Sequence, residues 1–205
     1  MNDYRGFQVK SKYLMNPLIE PLFDRNVIDR EILNVVPYGF VLRPLEITDY
    51  EKGYLQVLSQ LTVVGEVSRS DFVERFSYLK AHNHEYFAIV IEDLNKSRIV
   101  GAGTIFMERK FIHNLGQVGH LEDVVTHNEY RGMHFGILIM QALASIGQRL
   151  GAYKSILDCT EKNGRFYEAR CNFKFKELQM VRYYGQEKTA PLLLPITIKP
   201  KLWNV

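Results

Sequence analysis

Runs of apolar residues with strand-like and helical spacing divide the chain into a regular succession of elements from Phe40 onward. Phe40-Val41-Leu42-Arg43-Pro44-Leu45 reads as a first strand. Thr48 is placed to cap a helix whose Tyr54, Leu55, Leu58 and Leu61 form a core face, and Phe72, Phe76 and Leu79 predict a second helix from about Asp71 to Lys80. Tyr86 to Ile91 and Ile99 to Phe106 flank the turn-rich segment Glu92 to Ser97, which predicts an antiparallel hairpin. Further on come a strand over 118–126, a helix over 135–150, a strand over 154–159, a short helix over 163–170 and a strand over 173–184. This order predicts an α/β fold: a mixed, mostly antiparallel sheet with helices on both faces.

Before and after these elements the pattern fades. Residues 1–37 mix charges, Pro17, Pro21 and apolar clusters, and read as an N-terminal extension to a domain at 38–184. Residues 185–205 contain Pro191, Pro195 and Pro200, which oppose a continuing helix or central strand. With Leu192 to Leu194, Ile196 and Trp203, this tail reads either as a docking segment or as a loosely ordered one.

Composition narrows the class. A chain of 205 residues, 46% apolar and 12% aromatic, can bury one sizeable core. The net charge of +3 is spread among acidic residues, so no nucleic-acid arm is expected, whereas a small anionic substrate is compatible. Cys159 and Cys171 lack the spacing of a zinc site or disulfide framework, which suggests reduced thiols. No apolar stretch approaches the ~18 residues of a membrane helix and no signal pattern opens the chain, so a cytoplasmic protein without a membrane span is expected.

The candidate chemistry begins at Arg131-Gly132-Met133-His134-Phe135-Gly136. Gly132 and Gly136 allow close approach of the backbone to a ligand. Phe135, Ile139, Leu143, Ile146 and Leu150 behind them follow helical spacing, so the turn sits at a helix N-terminus, where backbone N–H groups and the helix dipole favour an anion. A glycine-containing turn of this kind is also ordinary loop chemistry. Glu122 and Asp123 lie beside one another on the preceding strand; alternation sends them to opposite faces, so only one is expected to line a cleft. Read alone, such a pair favours a solvated edge or a salt bridge, and Tyr167 is as compatible with a core aromatic beside Phe166.

The turn is similar to the acetyl-CoA signature of the GCN5-related N-acetyltransferases, Arg/Gln-x-x-Gly-x-Gly/Ala, with Arg131 and Gly136 matching and His134 in place of the middle glycine. Lys110-Phe111-Ile112-His113, Gly119 to Val125, Tyr153-Lys154, Leu157-Asp158-Cys159, Asn163 with Phe166-Tyr167, and Arg182-Tyr183 resemble, more narrowly, the glucosamine 6-phosphate N-acetyltransferases within that superfamily. The resemblance spans about residues 38–184.

It implies transfer of acetyl from acetyl-CoA to the amine of D-glucosamine 6-phosphate by direct attack in a ternary complex, a step toward UDP-N-acetylglucosamine. It implies Glu122, Asp158 and Tyr167 as catalytic residues: Glu122 to contact substrate and relay its proton, Asp158 to orient the amine through its carbonyl, Tyr167 to protonate the leaving sulfur. It implies a cofactor site of Val124, Val125, Arg131, Gly132, Met133, His134, Phe135, Gly136, Asn163, Phe166 and Tyr167. The substrate would meet Thr62, Lys110, Phe111, Ile112, His113, Glu122, Asp123, Asp158 and, from the partner of a homodimer, Arg182. No metal is implied. Two alternatives stay open on the sequence: an acetyltransferase for another small amine, and a non-catalytic acyl-CoA-binding or scaffold protein of the same fold.

Overall fold

A computed structural model of the chain describes residues 20–181. The chain divides between Lys174 and Phe175 into two units. Within the second, residues 175–181 contain no helix or strand.

The first unit is built on one five-stranded sheet in the order β1 to β5: β1 (Phe40–Pro44), β2 (Tyr86–Asp93), β3 (Arg98–Arg109), β4 (Gln117–Thr126) and β5 (Ala152–Ile156). The first four strands pair antiparallel and β5 joins β4 in parallel, which gives the mixed sheet expected from the sequence. The helices of five residues or more among the described residues are α1 (Arg30–Asn34), α2 (Tyr54–Leu58), α3 (Arg69–Ala81), α4 (Phe135–Arg149) and α5 (Glu161–Cys171).

Register assigns the faces. Gly101, Gly103 and Ile105 of β3 look toward α4, where a methyl at Gly103 would sit 2.6 Å from Ile139 Cγ2 and 3.0 Å from Leu143 Cδ1. The missing side chain is what lets α4 lie close on the sheet. Ile139, Leu143 and Ile146, fully buried, form the helix's inward stripe.

The other face carries Arg43, Val90, Ala102 and Thr104. Arg43 is buried and donates to Asp49 in the 3₁₀ turn Ile47–Tyr50 that precedes α2 (2.7 and 2.8 Å) and to Glu92 on β2, which Lys52 also binds. Burial opposes the Arg43 charge, but the hydrogen bond and charge of Asp49 raise its pKa above the ordinary value. Burial would likewise raise Glu92, and Arg43 and Lys52 hold it below. Breaking a buried pair of this kind costs about 3–5 kcal/mol, because the partner charge is left uncompensated. This cluster fixes α2 on the face opposite α4.

Leu22, Phe23 and Ile28 are also in the core, so the residues just before β1 pack into the same unit. Three local expectations change. Thr48 does not cap: its hydroxyl is buried without a partner, and Asp49 instead accepts from Glu46 N at 2.8 Å. The expected first helix is a 3₁₀ turn and the short α2, separated by Gly53 at φ 85°, and Leu61 lies beyond it, exposed. Residues 173–181 form no strand, since none of the described strands pairs with them, while 182–184 lie outside the described residues, as do the tail 185–205 and residues 1–19.

Candidate active site

β4 delivers most of the site. Thr104 pairs with Glu122 and Ala102 with Val125, so Asp123 and Val124 together face Gly103 in a bulge. Asp123 takes the left-handed conformation, φ 54°, which Asp tolerates better than most residues. Val124 turns toward α4, within 3.5 Å of a methyl at Gly103. Burial raises both Glu122 and Tyr54 of α2, and the charge of Asp123 adds to each. The bulge interrupts the regular alternation on which the opposite-face expectation for Glu122 and Asp123 rests.

Glu122 is solvent-accessible, yet its carboxyl is pushed above the usual range, first by desolvation and then by the charges of Asp123 and Asp158, with His120 opposing. Desolvation raises Asp123 as well. His120, two residues earlier on the same face, bonds through Nε2 to Glu108 Oε2 at 2.9 Å, and Lys110 Nζ donates to Glu108 Oε1 at 2.6 Å. Both partners hold the Glu108 carboxyl down. Lys110, Glu108, His120 and Glu122 form a row along one face, and His120 lies ~7 Å from Glu122 along the strand.

Beyond Lys110 the chain turns through His113, Asn114 and Leu115, all with positive φ. Phe111 is 94% exposed, Ile112 is also exposed, and the His113 ring lies on Tyr153 with centroids 4.2 Å apart. Phe111, Leu115 and Lys110 join Arg109 and Gln117 around a shallow cleft of about 270 Å³. Thr62 is exposed in the loop after α2, and the neighbouring Gln60 accepts from Asn128 N (2.9 Å), tying that loop to the end of β4.

The ladder between β4 and β5 stops at His120 and Ile156, while β4 runs on to Thr126. Asp158 and Cys159 follow β5 in the loop leading to Thr160, the cap of α5. The predicted strand over 154–159 is thus shorter and earlier. Tyr167 on α5 is half-buried, and burial, then Cys159 and Cys171, raise its phenol.

The second half of the site is the turn into α4. Tyr130 donates to Asp93 Oδ2 (2.8 Å) and its ring, with Phe40 and Phe135, forms an aromatic cluster that anchors the turn. Gly132 has φ 86°, and His134, at φ 61°, adopts the conformation a glycine would take there. For a residue with a Cβ this costs about 1–2 kcal/mol. A cleft of about 300 Å³ lies over the turn, lined by Thr126, Tyr130, Arg131, Gly132, His134, Phe135, Gly136, Ile137, Phe166 and Arg170. Its charged lining is cationic. Met133, Asn163, Val124, Val125 and Tyr167 do not line it, and the two valines lie in or against the core.

Sequence reasoning missed Arg170, Thr126, Tyr130 and Ile137 in this cleft; only the four-residue spacing of Phe166 and Arg170 hinted at a shared face. Arg182 lies outside the described residues. Among the described residues no cluster of His, Cys, Asp and Glu could hold a metal, and no helix is long and apolar enough to cross a membrane.

Residues 50–173 match the profile of the Acetyltransferase (GNAT) family. The chain is 43% identical over 150 residues to glucosamine 6-phosphate N-acetyltransferase 1 of Dictyostelium discoideum, covering 73% of this chain and 94% of that one. It is 50% identical over 128 residues to a probable glucosamine 6-phosphate N-acetyltransferase of Drosophila melanogaster, covering 62% and 58%. Among solved structures, glucosamine-6-phosphate N-acetyltransferase from Arabidopsis thaliana superposes with a TM-score of 0.69 at 37% identity, covering 71% of this chain and 98% of that one. The chain belongs to the GNAT family of acetyltransferases and, within it, to the glucosamine 6-phosphate N-acetyltransferases.

Proposed function

We propose that this protein transfers acetyl from acetyl-CoA to the amine of D-glucosamine 6-phosphate, giving N-acetyl-D-glucosamine 6-phosphate and CoA. The observation that carries the reading is that β4 bears a raised, accessible carboxyl, Glu122, and four residues on contributes Thr126 to the lining of a cationic cleft at a helix N-terminus. The cleft fits the pyrophosphate of CoA: backbone N–H groups at the start of α4, the helix dipole and Arg131 all favour an anion there.

Glu122 accepts the proton of the attacking amine, directly or through water. A carboxyl raised from its ordinary value is a better base for the amine's proton. Asp158, close enough to raise Glu122, orients the amine through its carbonyl. Backbone N–H groups near Val124 and Val125, beyond the end of the β4–β5 ladder, stabilise the charge developing on the thioester oxygen, a contribution of ~3 kcal/mol for a well-placed donor. Tyr167, its phenol held protonated, donates to the departing sulfur. One proton passes from the amine to Glu122 and one from Tyr167 to the thiolate, and exchange with solvent then returns Glu122 to its carboxylate and Tyr167 to its phenol.

A sugar phosphate laid along the row from Glu122 to Lys110 places its amine at the first and its phosphate at the second, displacing Glu108 from Lys110. Thr62, Phe111, Ile112, His113 and Asp123 border this path. The exposed Phe111, Ile112 and Leu115 support a homodimer, in which Arg182 of the partner completes the phosphate site. We place the enzyme in the cytoplasm.

Initial-rate patterns with both substrates varied, together with the mass of the product, test the reading. Intersecting lines and a singly N-acetylated sugar phosphate are expected. Parallel lines would exclude direct attack; turnover confined to other amines would exclude the substrate; CoA binding without turnover would leave a scaffold.

A further inference from the structure

The cleft at the start of α4 has a second wall, contributed by α5. Gly136 faces Phe166, whose Cζ would lie 3.6 Å from a methyl at that position, so α5 packs directly on the turn. Arg170 follows Phe166 by four residues, falls on the same helical face and lines the cleft with Arg131.

Both arginines are exposed, and among the described residues neither side chain has an ion pair or hydrogen bond. No Asp or Glu lines the cleft. Cations gathered around about 300 Å³ without a counter-charge repel one another, and a dianion between them reverses the sign of the interaction. The backbone N–H groups of the turn approach such an anion from α4; Arg170 would approach it from α5.

We propose that Arg170 is a positioning residue that grips the CoA pyrophosphate from the side opposite the α4 turn and thereby draws α5 onto the bound cofactor. Tyr167 lies three residues before Arg170 on the same helix, so this grip also sets the phenol against the sulfur at the other end of the CoA arm. Arginine suits the role, since its guanidinium can meet two phosphate oxygens at once. The inference rests on the reading of this cleft as the CoA site.

Calorimetric titration of the whole protein with CoA, 3′-dephospho-CoA and pantetheine tests it, using Arg170→Met and Arg170→Lys. Arg170→Met should weaken CoA and 3′-dephospho-CoA about tenfold and flatten the salt dependence, leave pantetheine unchanged, and be partly rescued by lysine. A matching tenfold fall of kcat with acetyl-CoA, absent with acetyl-pantetheine, would link the grip to Tyr167. Equal weakening of pantetheine would show a packing role, a loss confined to CoA would move Arg170 to the 3′-phosphate, and no loss would remove it; each overturns the proposal. If Arg131→Met also leaves CoA binding intact, the cleft itself is not the CoA site, and that reading fails instead.

Discussion

Glu122 and Asp123, neighbours on β4, are electrostatically coupled where Asp123, at φ 54°, falls in a bulge opposite Gly103 and its charge helps to raise the Glu122 carboxyl. Desolvation and then the charge of Asp123 raise Glu122, and desolvation raises Asp123. The acidic limb of kcat, which reports groups in the ternary complex, should therefore lie above the ordinary carboxylate value of 4.5. Glu122→Gln should lower kcat by 10²-fold or more and abolish that limb. A limb that survives the substitution would assign the base elsewhere.

The same pair makes a prediction for stability. A carboxyl whose folded pKa is raised binds protons more tightly when folded, so its contribution is present at low pH and is lost as pH rises through the folded value. Asp123→Asn, which keeps a residue at ease in the left-handed region, should stabilise the fold at neutral pH by at most about 1 kcal/mol after solvent screening, or roughly 2–4 °C in Tm. The gain should vanish below the ordinary carboxylate range. Thermal melts at pH 7 and pH 3.5 measure it, and a gain that persists at low pH would point to backbone strain instead.

Tyr167→Phe removes the proposed acid and little packing. We expect kcat to fall about 10²-fold with CoA affinity unchanged, since Tyr167 does not line the pyrophosphate cleft. In the wild type the raised phenol keeps its proton, so kcat should hold on the alkaline side to beyond the ordinary tyrosine value. Unaltered turnover in the phenylalanine variant would make water the proton donor.

Lys110→Met should raise KM for glucosamine 6-phosphate about tenfold, in keeping with the loss of one charge-assisted contact of ~1.5–3 kcal/mol, and alter kcat little. Glu108→Gln should act in the reverse direction, because it frees Lys110 and removes a negative charge beside the phosphate. If both variants raise KM alike, the row on this face is a structural network.

The close approach of α4 to the sheet depends on Gly103. Gly103→Ala would push a methyl to 2.6 Å from Ile139 Cγ2, and overpacking of this kind costs about 1–3 kcal/mol. A Tm unchanged within error would show that α4 shifts freely.

Much of this fold was legible because apolar spacing tracks burial. Ile139, Leu143 and Ile146 read as one stripe and are one stripe. The anion turn was legible for a related reason, since glycines just ahead of a helical run mark a helix N-terminus whose backbone a ligand can reach. The bulge was not, because alternation is a rule for regular ladders and Asp123 carries only a faint left-handed signal. Arg170 was hidden too: a helix sequence fixes which residues share a face, and only packing, here Phe166 on Gly136, fixes where that face looks. The expected strand over 173–184 failed at 173–181 because strand character depends on a pairing partner as well as on composition.

The most direct measurement is the ratio of kcat/KM for glucosamine 6-phosphate to that for glucosamine, read as CoA thiol release from acetyl-CoA. Loss of the contacts to one phosphate, ~1.5–3 kcal/mol each, predicts a ratio of about 100 or more, with negligible release when no acceptor is present. A ratio near one would contradict the phosphate site and, with it, the assignment of the substrate.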